Sequence, residues 1–229
     1  MQPGQPQAKV TLERLGREGE PVVIIDGFTG DIERLRRLGI ASQYQAAGVD
    51  YPGLRALADP SYLGVRQELM MRALGEVFGI RRSIQVEIAT FSLVTLPENE
   101  LSLRQCIPHH DHSDAGRIGI MHYTQGPASG GTAFYRHRRT GFEAITPERE
   151  AAYAAALEED EREFGPVAKA YPYGDSDRYE LIGEVEAQPD RLILYRGRQL
   201  HSGVIPDPAQ LSEDPAKGRL TVNMFLFGS

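Results

Sequence analysis

From residue 84 onward the apolar residues stop recurring at helical spacing and recur every second position. In SIQVEIATFSLVTL, Ile84, Val86 and Ile88 alternate with Gln85, Glu87 and Ala89, the pattern of a strand with one buried face. Further short runs are LSLRQCI, RIGIMHYT, GTAFYRH, ELIGEVEA, RLILYRG, QLHSGVI and GRLTVNMFLF, separated by Gly, Pro and Asp turns. About eight short strands with that punctuation predict a mainly β core, a sandwich or jelly roll.

The chain before this point reads differently. PVVIIDGF (21–28) suits a buried strand, but Ile32, Leu35 and Leu38 in GDIERLRRL have helical spacing. DPSYLGVRQELMMRALGEVFG starts with Asp59 as N-cap and Pro60 at the first helical position, and runs amphipathic to Gly79. Residues 9–83 are therefore expected to form an α-rich flank on a β core spanning 84–229, with residues 1–8 a disordered tail. Within the core, ITPEREAAYAAALEEDEREFG predicts an inserted helix over 146–165, with Thr146 as N-cap and Pro147 next. Such an insertion is either a lid or specificity element, or a solvated helix on the outside of the barrel. The 229 residues, 41% hydrophobic, are read as one domain.

Charge narrows the partners. The net charge is -7, and residues 146–190 hold thirteen Asp/Glu against four Lys/Arg. That balance excludes a general nucleic-acid binder, which needs a basic surface. The basic run RHRR at Arg136–Arg139 reads as a solvated strand end. The single cysteine, Cys106, allows neither an internal disulfide nor a cysteine-based zinc site, and it reads as a small buried hydrophobe. The opening MQPGQPQAKV lacks the apolar core of a signal peptide, and no apolar run approaches membrane-spanning length. The expectation is a cytoplasmic protein with no membrane partner.

The chemistry concentrates in PHHDHSDAGR (108–117), which holds three of the six histidines. Residues i and i+2 of a strand share a face, so His109 pairs with Asp111, and His112 with Asp114 forms a second candidate pair. Two imidazoles and one carboxylate on one side of a metal leave the opposite positions open, the arrangement of non-haem Fe(II) oxygenases. RLILYRGRQLHSGVIP supplies a third ligand in His201, followed by the small residues Ser202 and Gly203. On the last strand Arg219, Thr221 and Asn223 alternate with Leu220, Val222 and Met224. An Arg on an interior face needs an anion, and a dicarboxylate cosubstrate would provide one, with Thr221 as an added hydroxyl donor. His122 faces opposite to its neighbour Tyr123 and reads as packing on the outer face. His137 reads as structural.

These residues, in this order, resemble the Fe(II)/2-oxoglutarate-dependent dioxygenases, and within them the prolyl 4-hydroxylase-like branch. The resemblance rests on PHHD (108–111), RIGIMHYT (117–124), GGTAFY (130–135), QPDRLILY (188–195), LHSG (200–203) and GRLT (218–221), with VVIIDGFTGDIERL similar to the opening of that branch. It spans most of residues 21–229 and is closest to an uncharacterised bacterial group. It implies a double-stranded β-helix (a cupin-like jelly roll) with N-terminal helices packed on it. It implies His109, Asp111 and His201 as ligands of Fe(II), Arg219 as the anchor of 2-oxoglutarate, and Tyr123 as a hydroxyl beside that Arg. Gly130 and Gly131 match the hairpin turn that folds the sheet back over the site. The gap from His201 to Arg219 is longer than usual, with PDPAQLSEDPAK inserted as a surface excursion. The activity implied is O2-dependent hydroxylation of an amino-acid or peptidyl side chain, with release of succinate and CO2. Two other classes remain open from the residues: a jelly-roll metal- or ligand-binding protein without oxygenase activity, and a zinc-dependent hydrolase using the same ligands.

Overall fold

The structure is a computed structural model that describes residues 7–48 and 50–229. It opens with a hairpin, β1 (Lys9–Leu15) and β2 (Glu20–Asp26), followed by α1 (Ile32–Ile40). Asp31 caps α1 by accepting from the Arg34 amide at 3.1 Å. Two short strands follow, β3 (Gln45–Ala46) and β4 (Gly53–Leu57), and then α2 (Gln67–Arg72). The core strands are β5 (Ile84–Val94), β6 (Arg117–Tyr123), β7 (Gly131–His137), β8 (Tyr179–Glu186), β9 (Arg191–Arg196), β10 (His201–Val204) and β11 (Leu220–Gly228). The third helix, α3 (Glu150–Phe164), lies between β7 and β8.

Eight strands form one sheet in the order β1-β2-β9-β6-β11-β5-β4-β3, and three form a second in the order β10-β7-β8. An isolated antiparallel bridge between His109 and His201 extends the smaller sheet along β10. The faces of β11 divide the molecule. Leu220, Val222, Met224 and Leu226 pack with α2 and β2 residues such as Met70, Val23 and Ile25 in the larger apolar core. Arg219, Thr221, Asn223 and Phe225 alternate with them and belong to the other face. Burying each large aliphatic side chain stabilises by about 1.5–3 kcal/mol, so register on β11 is held by its apolar face.

Several sequence expectations change. Residues 9–83, expected to be α-rich, carry four strands as well as helices, because β1 and β2 extend the large sheet past β9 while β3 and β4 extend it past β5. The expected tail of 1–8 falls in part outside the described residues, and Ala8 packs against the larger core. LSLRQCI forms no strand. Its residues Leu103–Cys106 make a 3-10 turn, in which the Gln105 side chain accepts from the Ser102 amide at 2.8 Å. The single helix expected from Asp59 to Gly79 is a 3-10 turn over Pro60–Arg66, then α2, then a π turn over Ala73–Val77. Asp59 does cap, accepting from the Ser61 amide at 2.8 Å. The regular part of α3 begins at Glu150 rather than beside Thr146, whose carbonyl accepts from the Arg149 amide in the preceding turn.

Of the two roles open for the inserted helix, packing on the outside of the small sheet is the one seen. Tyr153 of α3 joins Ala133, Tyr135 and Tyr179 in a small apolar cluster. Asp160, buried, accepts from His137 Nε2 at 2.8 Å and Arg139 Nε at 2.5 Å. The run RHRR is accordingly less solvated than its sequence suggests: Arg136 is buried and bridges Glu143 and Glu180.

Candidate metal centre

His109, Asp111 and His201 meet between the two sheets. The backbone brings them there. His109 and His201 exchange both of their amide-to-carbonyl bonds, at 2.9 and 2.8 Å, and the Asp111 amide donates to Gly197 O at 2.7 Å. A segment from the first half of the core is thus pinned to the turn between β9 and β10. One ligand atom from each of the three side chains lies within 4.8 Å of the others. Asp111 Oδ2 is 3.5 Å from His201 Nε2, and Asp111 Oδ1 is 3.7 Å from His109 Nε2.

Two details suit a metal better than an internal hydrogen-bond network. Asp111 Oδ2 is buried with no hydrogen-bond partner among the described residues, a costly position for a carboxylate oxygen unless something cationic completes it. His201 Nδ1 lies 2.9 Å from Gln199 O, so Nδ1 carries the proton and Nε2 is the ligating nitrogen, 3.5 Å from Asp111 Oδ2 and 3.1 Å from the Tyr195 hydroxyl. Burial lowers the pKa of His201 to about 4, against the Gln199 carbonyl. His109, although its side chain is about half exposed, is lowered also, by loss of hydration at the cavity wall first and then by His201, with Asp111 opposing. Both imidazoles are neutral at pH 7, the form that ligates. Burial raises Asp111, with His109, His110 and Arg55 opposing.

The cluster lies on the wall of a cavity of about 570 Å³. Arg219 reaches the same cavity from the start of β11. Its Nε donates to Ser129 O at 2.8 Å and its Nη2 to Gly131 O at 3.0 Å. These two bonds use the side-on edge of the guanidinium and leave the end-on edge for a planar anion. The loop between β10 and β11 does not displace Arg219, which is buried. The glycines lie at the turn that leads from β6 of the large sheet to β7 of the small one. Gly130 has φ +92, and a Cβ there would sit 2.0 Å from Val204 O, so the turn that aims the two carbonyls at Arg219 requires glycine.

The remaining predicted residues are one layer back. The Tyr123 hydroxyl lies 2.6 Å from Thr132 Oγ1, and burial raises its pKa to about 12, with Thr132 and the Arg219 charge opposing. Thr221 donates to Asn223 Oδ1 at 2.9 Å. It is Thr132 and Asn223, not Tyr123 and Thr221, that line the cavity. The second candidate pair is a polar turn: the Asp114 amide donates to His112 Nδ1, and the Gly116 amide donates to Asp114 Oδ1. His122 is buried on the helix side, between Tyr62 and Asp190.

Sequence reasoning did not single out Tyr51, Arg55 or Tyr195. Tyr195 shares a face of β9 with Ile193, so its strand alternation carried a usable signal. Its ring lies over Gly119, where a Cβ would come 2.8 Å from Tyr195 Cζ. Arg55 sits on β4, five residues long and inside the region read as helical.

The fold and the site define a two-sheet β protein with a pair of histidines and a carboxylate gathered at a cavity between the sheets. The chain belongs to DUF6445, a family of unknown function whose model matches residues 6–226. Among solved structures it is similar to HygX from Streptomyces hygroscopicus with nickel, 2-oxoglutarate and hygromycin B bound, at 13% identity over 95% of this chain and 88% of that one, TM-score 0.48. An N-substituted L-amino acid dioxygenase from Burkholderia ambifaria AMMD gives 13%, 97%, 96% and 0.47 for the same measures. The non-heme alpha ketoglutarate dependent epimerase SnoN from nogalamycin biosynthesis gives 14%, 91%, 79% and 0.47. A search of curated proteins finds no match.

Proposed function

We propose that this protein is a non-haem Fe(II)/2-oxoglutarate-dependent oxygenase of the prolyl 4-hydroxylase-like branch. In this reading the two sheets form a double-stranded β-helix, and the reaction hydroxylates a C–H bond of an amino acid or peptidyl side chain. The observation that carries it is the convergence of His109, Asp111 and His201, with the buried Asp111 Oδ2 unpartnered, on the same cavity as Arg219. Fe(II), when bound, supplies the activation of O2 that oxidises 2-oxoglutarate to succinate and CO2 and places one oxygen atom on the substrate.

The chain's own contribution is positional. His109, Asp111 and His201 are the ligands, held in place by the backbone pairing of 109 with 201 and the tie from 111 to 197. Gln199 O fixes the His201 tautomer. The open edge of Arg219 takes the distal carboxylate of 2-oxoglutarate through two parallel bonds. Ile107, Val94 and Ile205 give the cavity apolar wall that lowers its water content around the reacting groups.

The test is succinate formation from 2-oxoglutarate without added substrate, for the wild type, His109→Ala and Arg219→Ala. The reading expects slow succinate release from the wild type and loss in both variants. Equal release from all three removes it. An anaerobic Fe(II) titration with 2-oxoglutarate should also give a weak charge-transfer absorption, which a zinc hydrolase or a binding module would not.

A further inference from the structure

The cavity holds a second arginine that the oxygenase reading does not use. Arg55 on β4 pairs across the sheet with Ser92, which pairs with Thr221, which pairs with Tyr123. In an antiparallel sheet directly paired residues share a face, so the four form one polar row toward the site. Arg55 lines the cavity, and its guanidinium carbon lies 4.2 Å over the Tyr51 ring. That stack covers one flat side of the group and leaves its in-plane N–H donors free to meet a ligand. Arg55 Nε is buried with no hydrogen-bond partner, and Arg55 makes no ion pair, among the described residues.

The charges favour an anion here. The cavity is lined by Arg55, Arg104, Arg117 and Arg219 against Asp50 and Asp111, in a chain of net charge -7. Arg117 is engaged by Glu87 at 2.6 Å. The two arginines are held differently: Arg219 is bracketed by the Ser129 and Gly131 carbonyls, whereas Arg55 lies on β4 against the Tyr51 ring. One dicarboxylate cosubstrate has one distal carboxylate, so it occupies one of the two.

We propose that Arg55, stacked on Tyr51, is the seat of a carboxylate on the substrate, which is therefore a carboxylic acid. A planar fork facing one negative charge suits a carboxylate, and the nearby Asp111 carboxylate disfavours a dianion such as phosphate. The proposal rests on the oxygenase reading for the word substrate, but the anion seat itself does not depend on it.

The probe is benzoate, titrated calorimetrically into the full-length protein loaded with Mn(II) and saturated with 2-oxoglutarate. One benzoate should bind to the wild type, and Arg55→Met should weaken it at least tenfold. Arg55→Lys, which keeps the charge without the fork, and Tyr51→Leu, which removes the stack, should each weaken it by a smaller factor. They carry the test should Arg55→Met fail to fold. No saturable benzoate binding in the wild type, equal affinity in the variants, or tighter binding of inorganic phosphate than of benzoate overturns the proposal. The 2-oxoglutarate titration separates the two readings. If the wild type binds no 2-oxoglutarate, the oxygenase reading fails while the benzoate comparison, run without it, still decides on Arg55. If Arg55→Met abolishes 2-oxoglutarate binding and Arg219→Met does not, Arg55 is the cosubstrate anchor and the proposal falls.

Discussion

The Tyr195 hydroxyl lies 3.1 Å from His201 Nε2, the nitrogen that carries the lone pair. Burial, with the Asp111 charge adding, holds the Tyr195 pKa well above its ordinary value, so the hydroxyl is neutral and donates. A metal ion on Nε2 needs the same lone pair. The tyrosine therefore competes with the metal, and Tyr195→Phe should bind Mn(II) more tightly. The gain should be about two- to tenfold, the worth of one hydrogen bond of roughly 0.5–1.5 kcal/mol. Calorimetric titration with Mn(II) measures it. Weaker binding by the variant would show that Tyr195 supports the ligands instead of opposing the ion.

Asp111 sets function against stability. Its carboxylate is largely withdrawn from water, raised in pKa by that burial, and buried without a partner at Oδ2. Asp111→Asn removes the charge at almost constant shape. After treatment with a chelator the variant should melt higher than the wild type, by the equivalent of about 1 kcal/mol. Adding Mn(II) should raise the melting temperature of the wild type and leave the variant unmoved. A variant that melts lower under chelation would mean that the carboxylate has protein partners that stabilise it.

What the sequence disclosed follows from which interactions are local. The strands from β5 to β11 were legible because alternation is written into adjacent residues, and the ten residues of GRLTVNMFLF suffice to sort Arg219 from Leu220. LSLRQCI misled because the same alternation arises in a turn, which the Ser102 and Gln105 contact stabilises instead of a ladder. The convergence of His109, Asp111 and His201 was legible at the first two through spacing, and at His201 only by asking which later strand held an imidazole. The environment of each side chain was not. Nothing near Arg219 announces that Ser129 and Gly131 carbonyls bracket it, since those partners are about ninety residues away. Arg55 lay hidden because β3 and β4 are too short to show a period: β4 is a strand because β5 offers it an edge, and β3 because β4 does.

Gly130 joins the fold to the site. Its φ of +92 and the 2.0 Å approach that a Cβ would make to Val204 O exclude any side chain without movement of the backbone. The same turn presents the Ser129 and Gly131 carbonyls to Arg219. Gly130→Ala should cost about 3 kcal/mol of stability, from backbone strain and overpacking together. It should also weaken 2-oxoglutarate binding, because Arg219 loses its support. A thermal melt and a 2-oxoglutarate titration on the same sample check both effects, and an unchanged melt would show that the turn relaxes freely.

Two buried histidines away from the metal cluster give the fold an acid limit. His122 lies between Tyr62 and Asp190, and His137 between Thr140 and Asp160, both with fully buried rings. Burial lowers both pKa values from 6.5, and the neighbouring carboxylates only partly oppose it. The folded protein therefore resists protonation at a pH where the unfolded chain accepts it. The contribution of each group is at its full value above about pH 6.5 and declines as the pH falls below that, by at most about 1.4 kcal/mol per pH unit for each imidazole. Denaturant melts at pH 7.5 and pH 5 should show lower stability at pH 5, and His122→Gln should reduce the difference. Stability that is level or higher at pH 5 would mean that Asp190 and Asp160 hold the imidazolium forms inside the fold.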